Sequence, residues 1–286
     1  MGSDFLKESI KLMAAKIKHI VLCDYRGQLD LRHLNFQITY SKPDLPSEVE
    51  ERVEKNWESF TALKSGAINN LVGFLVSYEC SKQEVRADLF LAGYKYNQYF
   101  NRDDKRMIDS KIANDNHYNP LASMILVSCE NENIFLLGNK IDFGFKKLSG
   151  FGGFTNSHDQ IGNKIDPQRH IERKLLEEIG CISEAIIGSY YIGLNFYPIV
   201  GPKGYEAVYI THLDGRREQL QKLFFCNSQF SNQFIPVEAN PKSLAKFLRS
   251  TSWEPTTNFL GSLITYVGSK FGEQELNKFI KEKFEK

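Results

Sequence analysis

The stretch LSGFGGFTNSHDQIGNKIDPQRHIERKLLEEIGC, from Leu148 to Cys181, restricts what this chain can fold into more than any other part of it. It begins with a glycine-rich turn, passes through a polar loop and then signals a helix start at Asp166-Pro167. An aspartate there can accept hydrogen bonds from the free N–H groups of a first turn, and proline fits the first helical position. Gly180 supplies a left-handed stop. Between these ends the helix carries Arg173, Lys174, Glu177 and Glu178. A glycine bend beside a helix with clustered carboxylates suits a hydrated divalent cation held against a pyrophosphate. Oxygen ligands match Mg²⁺, and backbone N–H groups match phosphate oxygens.

Before this stretch, Leu6, Ile10, Met13 and Ile17 predict an amphipathic helix over residues 4–18. Strands follow over residues 19–41, with a turn at Arg26-Gly27. After the proline break at residues 42–46, Val49, Val53, Trp57 and Phe60 form one stripe of a helix from Ser47 to Phe60, with Trp57 as a core anchor. NNLVGFLVSYEC and EVRADLFLAGYKYNQYF read as two β-rich runs. The aromatics of the second, Phe90, Tyr94, Tyr96, Tyr99 and Phe100, either line a half-buried sheet or stack a nucleobase, which makes Tyr94 and Tyr96 substrate-binding candidates. The polar run 101–119 reads as a linker or a surface excursion between two parts. The chain thus divides into a mixed α+β N-terminal domain, 1–116, and a second domain, 117–286.

In the second part, LASMILVSC and IFLLGNK predict a hairpin leading into the glycine turn. GSYYIGLNFYP and YEAVYITHLD predict another strand pair around Gly201-Pro202, RREQLQKL a helix, and QFIPVEA a last strand. Helices over 241–249 and 254–267 and a charged amphipathic tail complete the pattern.

Charge narrows the partners. Lys plus Arg number 36 and Asp plus Glu 35, so no global field draws the chain to nucleic acid or an anionic membrane. The five cysteines are scattered, odd in number and never in a C-x-x-C pair. That pattern points to free thiols in a reducing, cytoplasmic setting rather than to disulfides or a zinc site. The first 20 residues mix Lys and Glu with apolar side chains, unlike a signal peptide, and no apolar run is long enough to span a bilayer.

The stretch around the capped helix resembles the Nudix box, Gly-x5-Glu-x7-Arg-Glu-U-x-Glu-Glu-x-Gly-U, with U aliphatic. Arg173, Leu175, Glu177, Glu178, Gly180 and Cys181 fall on its Arg, U, Glu, Glu, Gly and U. Lys174 stands where the family has Glu directly after the Arg, and Ile165 where it has the upstream Glu. The loop after Gly152-Gly153 is several residues longer than the pattern. Further pieces, in shared order, resemble the UDP-sugar pyrophosphatase branch: the helix with Trp57, LAGYKYNQYF, NPLASMILVS, YEAVYITHL and WEPTTNFLGSLITY.

The resemblance implies a Nudix-type α/β/α sandwich and a metal-dependent pyrophosphohydrolase of a nucleotide sugar such as UDP-glucose. It implies Mg²⁺ (or Mn²⁺) on Glu177, Glu178 and Glu206, and Arg173 orienting the helix. Lys174 would contact phosphate, and Gly152 and Gly153 would bind substrate through their backbone. A catalytically impaired protein that binds a nucleotide, or a protein partner, without hydrolysis is the alternative. Plain surface salt bridges along the helix are the bland one. His158, Asp159 and His170 are further candidates for acid–base or metal-facing roles, with solvation or packing as their simpler fate. Glu206 sits mid-strand among apolar residues, where an unpaired carboxylate would be costly. Oligomeric state is left open.

Overall fold

The structure is a computed structural model and describes residues 22–24, 28–64, 66–81, 83–100, 112, 115, 117–129, 133–142, 145–197, 204–215 and 234–284. The helix expected over 4–18, the turns at Arg26-Gly27 and Gly201-Pro202, the helix over 216–223 and most of the 101–119 linker lie outside these residues.

Two short strands, β1 (Leu22–Asp24) and β2 (Leu29–Asp30), precede β3 (Leu34–Ile38). Helix α1 (Ser47–Leu63) places Glu48 and Glu50 in its first turn, where they complement the free N–H groups. Its core anchors are Val49 and Val53. Trp57 is half-buried instead, stacked on Phe60 at 5.5 Å with its edge toward Tyr94 at 6.4 Å. Strands β4 (Leu71–Cys80) and β5 (Val85–Gly93) pair as an antiparallel hairpin.

The aromatic run after β5 is not strand. It forms helix α2 (Tyr94–Phe100), which buries Tyr96, Tyr99 and Phe100. Residues 96, 99 and 100 satisfy helical spacing as well as near-alternation, and a run this short is ambiguous between the two periods. Packing decides it: Tyr118, fully buried, holds the rings of Phe74, Phe90, Tyr96 and Phe100 at 5.3–5.5 Å around it.

The rest of the chain supplies β6 (Leu121–Cys129), β7 (Ile134–Asp142), β8 (Phe145–Ser149), β9 (Phe151–Phe154), β10 (Gln160–Ile161), β11 (Lys164–Ile165), helix α3 (Pro167–Ile179), β12 (Ile186–Tyr197), β13 (Gly204–Leu213) and β14 (Ile235–Glu238). Helix α4 (Pro241–Ser250), β15 (Glu254–Pro255) and helix α5 (Thr257–Phe284) close it. The predicted 254–267 helix begins later, at Thr257, because Glu254–Pro255 pairs β8 as strand β15; from there it and the charged tail are parts of α5, joined across a kink at Gly272.

Among the described residues the large sheet has ten strands, with β1-β12-β13-β6-β7-β8-β15 as its path and β2, β9 and β14 attached. The β6–β13 pair is parallel, so each strand is covered on both faces. Alternate residues show it. Met124, Leu126, Val208 and Ile210 face a core shared with α4 and α5, while Ile125, Val127, Ala207 and Tyr209 face one shared with Ile171, Leu175 and Ile179 of α3. This is an α/β/α sandwich, and the region before it is mixed α+β, as the sequence suggested.

The second sheet, β10-β11-β3-β5-β4, lies over the α3-side core through Leu34, Phe36, Ala87 and Leu89 and carries α1 and α2 on its other face. Strands cross residue 117 in both directions: β1 and β2 pair β12 of the large sheet, and β11 pairs β3 of the small one. No helix among the described residues is long and apolar enough to cross a membrane.

Candidate active site

Helix α3 is fixed at both ends by local chemistry. Asp166 accepts from the backbone N–H groups of Gln168 (2.9 Å) and Arg169 (3.3 Å), Pro167 opens the helix, and Gly180 ends it at φ 67°. Buried Ile171, Leu175 and Ile179 set its rotation. Those two constraints decide where each charged side chain can point.

One side of α3 meets the polar loop in a largely buried network. Asp159 and His170 are both fully buried. His170 Nδ1 lies 2.7 Å from Asp159 Oδ2, and Arg173 donates to both Asp159 oxygens from Nε (2.7 Å) and Nη2 (2.9 Å). The Asn156 N–H adds a fourth hydrogen bond at 3.0 Å. Burial acts to raise the Asp159 pKa, but the bonds from His170 and Arg173 outweigh it and hold the carboxyl well below the usual range. Burial also dominates at His170, lowering its pKa despite Asp159, so the ring is neutral. With Nδ1–H donating to Asp159, Nε2 accepts from the Ser123 hydroxyl at 2.7 Å.

Arg173 turns its remaining nitrogen to Glu177, at 2.8 Å, and Lys174 approaches the same carboxylate at 3.0 Å. Burial tends to raise the Glu177 pKa, and these two cations more than reverse that. Glu177 is exposed and lines an outer groove with His158, Arg169 and Glu172.

Glu178 takes the opposite course. Its Oε2 accepts the Gly152 N–H at 3.0 Å; Gly152 and Gly153, expected as a turn, are in strand β9, paired with Met124 and Ser123 of β6. Gly152 (φ 140°) and Gly153 (φ 148°) hold conformations that favour glycine, and a Cβ on Gly152 would sit 2.2 Å from the Ser123 carbonyl oxygen. A Cβ on Gly153 would meet Lys174 Nζ at 3.2 Å, so the ammonium lies over Gly153.

Glu206, 2% exposed on β13, faces α5. Asn258 Nδ2 donates to Oε1 at 2.9 Å, and Ser262 Oγ to Oε2 at 3.3 Å. These partners explain how a carboxylate survives mid-strand.

Glu178, Glu206, Gly152, Gly153, Ser123 and Asn258 line one cleft of about 320 Å³. Of the expected site residues, the structure therefore brings Glu178, Glu206 and both glycines together, with Lys174 alongside, and directs Glu177 and Arg173 to the outer groove. Tyr96 is buried in the N-terminal core, its hydroxyl donating to Glu50 at 2.9 Å. Tyr94 touches the cleft wall only through Phe154, 5.6 Å between ring centres. Sequence reasoning missed Ser123, Asn258 and Ser262. Asn258 does stand in WEPTTNFLGS, but its partner is 52 residues away.

No family model matches the sequence, and no curated protein matches it. Among solved structures the chain is similar to a NUDIX hydrolase from Nitrosomonas europaea, at 13% identity over 53% of this chain and 90% of that one, with TM-score 0.37. It is similar to the Bacillus subtilis pyrophosphohydrolase BsRppH at 13% identity, covering 63% and 86%, TM-score 0.31. A MutT protein from Methanosarcina mazei Go1 aligns at 15% identity, covering 57% and 94%, TM-score 0.29. Likeness at this level transfers no residue roles, and the chemistry rests on the cleft itself.

Proposed function

We propose that this chain is a cation-dependent pyrophosphohydrolase of Nudix type, acting on a nucleoside diphosphate-linked substrate such as UDP-glucose. The observation that carries the reading is the convergence of Glu178, from the capped helix, and Glu206, from β13, on one cleft beside the Gly152 N–H of β9. The substrate class follows from the sequence resemblance.

The donor set fits a largely hydrated Mg²⁺ or Mn²⁺. Among the described residues no group of three or more His, Cys, Asp or Glu side chains is placed to hold a metal. Mg²⁺ is commonly held by one or two carboxylates, with water and substrate phosphate completing its shell. Lys174 pairs with Glu177, while Glu178 accepts the Gly152 N–H on the cleft side. Such a cation would lower the pKa of an attacking water and neutralise charge on the leaving phosphate.

The chain's own groups divide the remaining work. When Glu178 turns from Gly152 N–H to a ligand, that N–H is released to a phosphate oxygen. Lys174, over Gly153, adds positive charge where phosphate would lie. Asn258 and Ser262 hold the Glu206 carboxylate in orientation. Arg173, anchored by Asp159, keeps Glu177 and α3 in register without entering the cleft.

A second reading, nucleotide binding without hydrolysis, is favoured by Lys174 at a position where the resembled pattern has an acid. Incubation with UDP-glucose and Mg²⁺, following UMP release, separates the two. Turnover supports the hydrolase. UDP binding by calorimetry with no turnover supports the sensor, and neither result sinks both.

A further inference from the structure

Ser123, His170 and Asp159 form an ordered row that the cation reading leaves unused. Ser123 Oγ to His170 Nε2 and His170 Nδ1 to Asp159 Oδ2 are both 2.7 Å. Arg173 and the Asn156 N–H pin Asp159, which fixes the ring and its tautomer. The Ser123 proton is thereby aimed at an acceptor nitrogen, with the Gly153 carbonyl farther off, at 3.2 Å. Ser123 also lines the cleft, at its floor, 3% exposed. Gly153 lies opposite it in the β6–β9 register, and Lys174 Nζ lies over Gly153.

We propose that Ser123 is a nucleophilic serine, with His170 as its base and Asp159 as the orienting group, that accepts the acyl group of a small uncharged carboxylic ester. The row has the order such chemistry requires: hydroxyl, imidazole, carboxylate. In the first step Ser123 Oγ bonds to the ester carbonyl carbon while its proton passes to His170 Nε2. The C–O bond to the alcohol then breaks, and the alcohol leaves with that proton. Water next attacks the acyl carbon, giving a proton to His170. The bond to Ser123 breaks, the acid departs, and Oγ recovers its proton. Ester and water give acid and alcohol, with no other reactant. The Lys174 ammonium faces the developing oxyanion. An uncharged ester is favoured because, without a cation, Glu178 and Glu206 repel anions from the same cleft. The proposal does not rest on the cation-dependent reading.

The test treats the full chain with a fluorophosphonate probe in the presence of EDTA and maps the adduct by peptide mass spectrometry. One adduct on Ser123 is expected, and none on Ser123→Ala. His170→Gln is expected to slow labelling on the order of 100-fold, the usual worth of a general base. No adduct, an adduct on another residue, or equal labelling of the His170→Gln protein would overturn the proposal. Should either variant fail to fold, the wild-type peptide map decides alone. EDTA keeps the outcome separate from that of the Mg²⁺-dependent assay.

Discussion

Helix α3 has two polar flanks that solve different problems. On one, Asp159, His170 and Arg173 are packed against one another, every charge met by a partner within 3 Å. On the other, Glu178 and Glu206 face a cleft, held by a backbone N–H, an amide and a hydroxyl. A network paired this fully keeps its geometry. Neutral donors around a carboxylate can be exchanged for a cation at modest cost. The comparison teaches that the charges holding a helix in place and the charges lining a cleft need not coincide, even beside one short helix.

The sharpest way to break this contrast is at Asp159. Asp159→Ala takes the carboxylate from fully buried His170 and partly buried Arg173 and should cost about 3–5 kcal/mol, the usual penalty for breaking a buried pair. A urea unfolding midpoint that barely moves would show that the network is not structural. Glu178→Gln and Glu206→Gln should do the reverse. UDP-glucose hydrolysis should fall on the order of 100-fold, about 2.7 kcal/mol of barrier, with little change in the unfolding midpoint. Equal losses of stability and rate would erase the distinction between the flanks.

Lys174→Glu probes the border between them. Removing an ammonium from above Gly153 and adding a carboxylate should tighten Mn²⁺ binding about tenfold, roughly 1.4 kcal/mol, read by calorimetry. Weaker binding would mean that the ammonium organises the site.

Acid separates the flanks next. His170 has a lowered pKa, so the unfolded chain binds its proton first, and stability should begin to fall below about pH 6.5. The depressed carboxyl of Asp159 acts in the same direction, with its contribution lost below about pH 4. Unfolding midpoints measured across this range should drop in two stages, and His170→Gln should remove the first. The smallest effect is expected at Glu177→Gln. That half-exposed pair should be worth about 0.5 kcal/mol and little rate. A large loss of Mg²⁺ affinity there would restore Glu177 as a ligand.

What the sequence disclosed was local. Asp166, Pro167 and Gly180 announce α3 because caps act within a few residues, and the alternating apolar strands announce a sheet covered on both faces. Tyr94–Phe100 was misread as strand because its spacing fits both periods, and only Tyr118, eighteen or more positions on, decides for helix. Glu206 drew notice through the cost of burying a charge, but Asn258 and Ser262, which offset that cost, are distant and unremarkable in sequence. His170 and Asp159 read as loop and helix polar residues, since burial depends on how the 155–166 loop lies across α3.

The strand exchange across residue 117 bears on how this protein is made. Pairing Leu22 with Phe196, and Lys164 with Gln37, ties the beginning of the chain to segments synthesised much later. Such distant closures slow folding, since loop entropy is lost before the contacts repay it. A fragment beginning at 117 would leave β12 without β1 and β2 and present a bare ladder of N–H and C=O groups, an invitation to self-association. Expression of the separate halves should therefore yield aggregates, while mixing them during refolding should recover soluble material.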